Sequence, residues 1–204
     1  MIKNIIFDLG NVVLKLKWDI VINRFAKNEE EKYLFKKFIF DSEEWEALDA
    51  GSMSQEEAIK SMQKNLPENL HPVCEEIMNT WTDGLVINYE MLKFIEKLRN
   101  LGYKTYILSN APLTIPDFLE KNDLNKYFDG KIISAEIQLI KPNKEIYEYT
   151  LKEFSLNPTE SFFIDDRKEN IEAAKNLNIN GHVFDYNNFN ALLEELSKYN
   201  VIVK

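Results

Sequence analysis

The sequence is nearly without cysteine and histidine. Cys74 is the single cysteine, and His71 and His182 are the two histidines. One thiol cannot close a disulfide within the chain, which fits a reducing compartment, and Cys74 reads as a small buried hydrophobe. Neither histidine lies near a metal-ligand pattern. There is no apolar run long enough to span a bilayer, and no basic lead or apolar leader precedes Ile5-Ile6-Phe7. The expectation is a soluble, cytoplasmic chain without signal peptide or membrane span. Positive charge is also short: 25 Lys and Arg face 34 Asp and Glu, a formal net charge of -9. That argues against nucleic acid and anionic membranes as general partners. It leaves a phosphorylated small molecule possible, because a local site can outweigh the global charge. Repeats and low-complexity segments are missing too, and nothing in the pattern reports an oligomeric state.

What is there is a chain of 204 residues, 45% hydrophobic, enough for one core and a small accessory module. Short apolar runs at Asn4 to Phe7, Thr105 to Leu108, Ile132 to Ser134, Phe162 to Ile164 and His182 to Phe184 read as buried parallel strands. Helical spacing separates them. Met91, Leu92, Ile95 and Leu98 mark a helix ended by Gly102, and Ile146, Tyr147, Thr150 and Leu151 mark another. This alternation predicts an α/β fold, a doubly wound, Rossmann-like parallel sheet. From about Asp19 to Trp81 the alternation stops and only helical pattern remains. There Ser54-Gln55-Glu56-Glu57 has the form of a capping box. The expected organisation is an α/β core from 1–14 and 85–204 with a helical insert at 15–84. Leu14 to Trp18 and Thr82-Asp83-Gly84 would be its hinges.

In open parallel sheets, ligands bind beyond the carboxyl ends of the strands. The polar residues expected there are Asp8, Ser109-Asn110, Lys141-Pro142 and the pair Asp165-Asp166. Each type has a part in phosphoryl transfer. A carboxylate can attack phosphorus. A hydroxyl and backbone N–H groups can hold phosphate oxygens. A lysine can stabilise nucleophile and transferring group, and paired carboxylates can hold Mg²⁺.

The order Phe7-Asp8-Leu9-Gly10-Asn11-Val12-Val13, Leu108-Ser109-Asn110, Lys141-Pro142, Phe163-Ile164-Asp165-Asp166 resembles the four motifs of the haloacid dehalogenase superfamily. The helical insert looks like that family's cap. The Asp-Leu-Gly-Asn-Val form looks most like its bacterial glucose-1-phosphate phosphatase branch. The resemblance implies a Mg²⁺-dependent hydrolase acting through an aspartyl-phosphate. Asp8 would be nucleophile and metal ligand, and Lys141 the third-motif lysine. Ser109 and the backbone N–H of Asn110 would bind phosphate. The backbone carbonyl of Gly10 and the side chain of Asp166 would bind the metal, with Asp165 as ligand or supporting group. Asn170 stands where many members have a further acid.

One position departs from the pattern. Most phosphatases of the family carry, two residues after the nucleophile, an aspartate that works as general acid and then as base. Here it is Gly10. Without that acid, the expectation is a preference for substrates whose leaving group is stable as an anion, such as sugar 1-phosphates over 6-phosphates. Gly10 also suits two alternatives, a metal-free 2-haloacid dehalogenase and a binding or regulatory module of low activity; the Asp165-Asp166 pair favours the metal-dependent phosphatase. Lys15, Lys17 and Trp18 near one hinge are placed either for substrate contact or for packing. Trp45, Asp49 and Gly51 are placed either as a loop over the site or as part of the insert's own structure. Trp81 reads as core.

Overall fold

The computed structural model describes residues 1–203. β1 (Asn4–Phe7) is followed by a short β2 (Leu14–Leu16) and then by helices. These are α1 (Trp18–Phe25), α2 (Glu29–Phe35) continued by a π-helical turn over Lys36–Phe40, α3 (Glu43–Asp49), α4 (Gln55–Gln63) and α5 (His71–Thr80). From β3 (Leu85–Ile87) onward, helices and strands alternate: α6 (Tyr89–Asn100), β4 (Lys104–Ser109), α7 (Ile115–Lys121), β5 (Gly130–Ile133) and α8 (Ser134–Ile137). The chain closes with α9 (Lys144–Glu153), β6 (Ser161–Asp165), α10 (Lys168–Asn176), β7 (Asn180–Val183) and α11 (Phe189–Ser197).

Five strands form one parallel sheet in the order β5-β4-β1-β6-β7. β1 is central, with Phe7 opposite Ile107 on one side and Ile164 on the other. Every residue of β1 and β6 is buried, as expected where helices cover both faces of a parallel sheet. The strands therefore read as continuous apolar runs rather than alternating ones. Asp8, Asn110 and Asp166 immediately follow β1, β4 and β6, so three polar loops open at the same end of three adjacent strands. The last strand begins earlier than its apolar residues suggest. β7 pairs Asn180 with Phe162 and ends at Val183, while the Phe184 amide caps the ladder on the Asp165 carbonyl.

β2 and β3 pair only with each other, antiparallel, Leu14 opposite Ile87 and Leu16 opposite Leu85. The sequence pattern suggested hinges here; the structure clasps both crossings in one two-stranded ribbon. No strand lies between Trp18 and Gly84 among the described residues. Side-chain caps start three helices of that block: Asn28 for α2, Ser42 for α3, and Ser54 with Glu57 as a reciprocal capping box for α4. Its buried residues, Val21, Phe35, Ile39, Met62 and Ile77 among them, join the same apolar cluster as Leu9, Val12 and Leu14 of the sheet side. Trp18 stacks on Phe40 at 4.8 Å, and Trp45 meets Trp81 edge-on at 5.1 Å. Trp18, Trp45 and Trp81 form a wall beside Asp49, Gly10 and Asn110. No helix among the described residues is long and apolar enough to cross a membrane.

Candidate active site

The residues expected at the strand ends meet. Lys141 is buried and its Nζ lies 3.0 Å from Asp8 Oδ1 and 2.6 Å from Asp165 Oδ2. The Nζ also donates to the Leu108 carbonyl at 3.0 Å, so all three ammonium protons have acceptors. Burial alone would lower the Lys141 pKa; Asp8 and Asp165 outweigh it and raise it. The lysine is thus a permanently charged group between two carboxylates.

Lys141 is set in place by Asn110. The Asn110 amide donates to the Lys141 carbonyl, and the Lys141 N–H donates back to Asn110 Oδ1, both at 2.8 Å. The Asn110 side chain therefore positions the lysine. Its backbone N–H is the part to which the family resemblance gives phosphate. Ser109, buried at the end of β4, places its hydroxyl beside the Asp8 carboxylate, where it favours the ionised form.

Asp8 also accepts the Leu9 N–H on Oδ1 at 2.7 Å. Burial is the largest influence on its acidity, opposed by Lys141 and reinforced by Asp165, and the result is a pKa pushed up to about 6. Asp165 is wholly buried and satisfied by protein donors. Its Oδ1 accepts the Arg167 N–H at 2.8 Å, its Oδ2 accepts Lys141, and the Asn170 amide reaches both oxygens at 3.0 Å. Asn170, whose part the sequence left open, thus holds Asp165 in place. Asp166 is only partly buried and accepts one bond, from the Asn11 amide at 2.9 Å. Burial first, then Asp165, raises its pKa against the pull of Asn11.

Asp8, Asp165 and Asp166 can each turn an oxygen toward one point, with those atoms within 4.8 Å of one another. Three carboxylates and one lysine leave two uncompensated negative charges when all are ionised. The hard oxygen donors and this excess of anion fit a divalent cation such as Mg²⁺. Asp8 and Asp166, with Gly10, Asn11, Asn110 and Lys141, line a cavity of about 330 Å³.

Sequence reasoning passed over Asn11, Glu46 and Arg167, which also line this cavity. Asn11 sits in the left-handed region at φ 52, a conformation for which asparagine is the commonest residue after glycine. Of the residues near the hinge read either for substrate contact or for a solvated or packing role, Lys15 lies over the Tyr186 ring at 3.3 Å. It lines a neighbouring groove with Lys17 and Asp166, and Trp18 packs in the aromatic wall. Asp49, at the end of α3, lines the cavity with Asp8 and Gly10. Gly51 just beyond packs on Ala135. His71 bonds the Leu66 carbonyl and His182 lies in β7, both outside the site.

Residues 5–184 match the family model described as haloacid dehalogenase-like hydrolase. A D-ribitol-5-phosphate phosphatase of Bacteroides thetaiotaomicron is 30% identical over 192 residues, covering 87% of this chain and 89% of that protein. Among solved structures, a haloacid dehalogenase family enzyme of the same organism, in complex with magnesium and inorganic phosphate, superposes with TM-score 0.73. It is 25% identical over 91% of this chain and 95% of that one. An L-2-haloacid dehalogenase of Xanthobacter autotrophicus shares the fold at TM-score 0.65 and 16% identity, covering 89% and 76%. With the matched model spanning nearly the whole chain and the strand-end residues assembled at one point, the chain belongs to the haloacid dehalogenase-like hydrolase family.

Proposed function

We propose that the chain is a Mg²⁺-dependent phosphatase of small phosphomonoesters, with Asp8 as the nucleophile that forms an aspartyl-phosphate. The observation that carries this reading is the three-carboxylate cluster around Asp8, balanced by only one buried lysine. A metal-free dehalogenase has no use for the surplus charge. At an effective dielectric of about 20, each unit of like charge at about 4 Å opposes an anionic substrate by about 4 kcal/mol. Asp8, Asp166 and the Gly10 carbonyl are the groups that would hold the ion, and Asp165 serves by anchoring Lys141. Mg²⁺, when bound, neutralises the surplus and polarises the phosphoryl oxygens. Ser109 and Lys141 fix the Asp8 carboxylate, while the Asn110 N–H and Lys141 stabilise charge on the transferring group.

The cavity lining supports a small polar substrate: Asn11, Glu46, Asp49 and Arg167 ring it. A phosphorylated sugar or polyol matches in size and hydrogen-bonding capacity, with sugar 1-phosphates and polyol phosphates as the classes to compare. The helical block, 15–84, acts in this reading as a cap whose α3 end sets specificity. The reading is tested by a phosphate-release screen over sugar 1-phosphates, sugar 6-phosphates, ribitol 5-phosphate and nucleotides, with Mg²⁺ and with EDTA. Mg²⁺-dependent release that Asp8→Asn abolishes is expected. Activity surviving in EDTA, or in a folded Asp8→Asn protein, overturns the assignment.

A further inference from the structure

We infer that Asp49, carried onto the site by the helical block, is the proton donor and acceptor that Gly10 cannot be. This rests on the phosphatase reading and adds its missing acid.

The glycine at position 10 is not a backbone necessity. Its φ is not in the left-handed region, and a Cβ there would meet Leu16 Cδ1 at 3.5 Å and Asp8 Oδ2 at 3.9 Å, ordinary contact distances. The site has room for a side chain beside the nucleophile and has none. Asp49 lines the same cavity. It also lines an adjoining recess with Gly10, Asn110 and the indoles of Trp18, Trp45 and Trp81.

Its position is held from the core. The Ser134 hydroxyl donates to the Asp49 carbonyl, and the Gln138 amide donates to the Gly51 carbonyl at 3.0 Å. Gly51, at φ +65, lies so close to α8 that a Cβ would overlap the Ala135 carbonyl and sit 2.9 Å from its Cα. These contacts lock the turn after α3 against α8, so Asp49 is presented rather than left to sample solvent.

The carboxylate itself lacks a partner. Asp49 Oδ1 is buried and accepts no hydrogen bond from the described residues. A buried oxygen left so is unfavourable, a cost that a substrate hydroxyl or leaving oxygen would relieve. Four charged groups act on it: Asp8, Lys141, Glu46 and Arg167. Glu46, one turn earlier on α3, is exposed, whereas Asp49 is half-buried with one oxygen sealed from solvent. Burial keeps its proton on near neutral pH, as a general acid requires.

The step balances. An Asp8 carboxylate oxygen attacks phosphorus while the bond from phosphorus to the alcohol oxygen breaks. The Asp49 proton passes to that oxygen, the alcohol leaves, and Asp49 is ionised. It then takes a proton from the water that attacks phosphorus; the Asp8–phosphorus bond breaks, phosphate leaves and both carboxyl groups return to their starting states.

The test uses the Mg²⁺-loaded full chain with 4-nitrophenyl, phenyl and benzyl phosphate, three esters of similar shape whose leaving groups fall in acidity in that order. Wild type, Asp49→Asn and Asp49→Asn/Gly10→Asp are compared for phosphorylation rate and for acid-trapped phosphoenzyme. General acid catalysis is typically worth about 10²–10⁴-fold. Asp49→Asn should lose on that order with benzyl phosphate, less than about tenfold in the first-turnover burst with the 4-nitrophenyl ester, and should accumulate phosphoenzyme for want of a base. Gly10→Asp should narrow the spread again. Equal losses on all three esters without phosphoenzyme accumulation, or no loss with benzyl phosphate, overturns the role of Asp49 alone. A folded wild type that hydrolyses none of them with Mg²⁺ overturns both this and the phosphatase reading.

Discussion

Asp49→Asn should make the metal-free protein more stable at high pH and leave it unchanged at low pH, with no substrate involved. Asp49 is pushed from 3.8 up to about 7, by burial first and by the Asp8 charge second. The folded state therefore binds more protons than the unfolded one between about pH 4 and 7. By linkage, stability falls as pH rises through that window, and the cost is complete above the folded pKa. A shift of about three units at 1.36 kcal/mol each sets an upper bound of about 4 kcal/mol. The side chain is half-buried, not sealed, and screening reduces this to about 2 kcal/mol. For a chain of this size, 1 kcal/mol moves Tm by about 2–4 °C. Thermal melts in EDTA should then place Asp49→Asn about 4–8 °C above wild type at pH 8.5 and level with it at pH 4. A Tm gap that does not change with pH would mean the amide acts through packing, and the account of Asp49 as a desolvated acid would be wrong.

Asp8→Asn should abolish phosphate release, more than about 10³-fold, in a protein that still folds, since the amide is a poor nucleophile of nearly the same shape. Lys141→Met should destabilise by about 3–5 kcal/mol in denaturant titration, because it leaves Asp165 charged and buried without its counter-ion. Gly51→Ala, at a position both left-handed and in contact with Ala135, should undock the turn after α3 and cut turnover by an order of magnitude or more. Hydrogen exchange should rise at Ala50 to Ser52 and at α8 if that is the cause. Mg²⁺ should raise Tm in wild type and not in Asp166→Asn; equal shifts in the two would place the ion elsewhere.

Much of this fold is legible because each central strand is buried on both faces, so local composition reports it. Ile5-Ile6-Phe7 and Phe162-Phe163-Ile164 are apolar for the same reason that they are strands. The carboxylates at the strand ends are legible for a related reason: a parallel sheet opens its loops at one end, so polar residues after apolar runs converge without any knowledge of packing. The ribbon of β2 and β3 escaped notice because Leu14-Lys15-Leu16 and Leu85-Val86-Ile87 are each three residues long. They are strands only by virtue of one another, across about 70 residues of intervening chain.

The same distinction explains why Asp49 could be weighed but not assigned. Asp8 and Asp166 are placed by their own strands, whereas Asp49 is placed by Ser134, 85 residues away. Its local sequence, Asp49-Ala50-Gly51, is that of any helix end with a left-handed glycine behind it. Only the packing of that glycine on Ala135 converts a helix end into part of a site. The empty position at Gly10 was visible from the start, and taken alone it argues for substrates that need no acid. Taken with a half-buried carboxyl group that lines the same cavity and has one sealed, unpartnered oxygen, it argues that the acid has moved from the core strand to the helical block. If so, the docking of the turn after α3 on α8 completes the catalytic machinery, and a substrate that loosens it loses its proton donor. Selectivity in such an arrangement is expressed in turnover more than in binding. Poor substrates of this chain should therefore show depressed kcat at nearly unchanged KM, and in Asp49→Asn that difference between good and poor substrates should shrink.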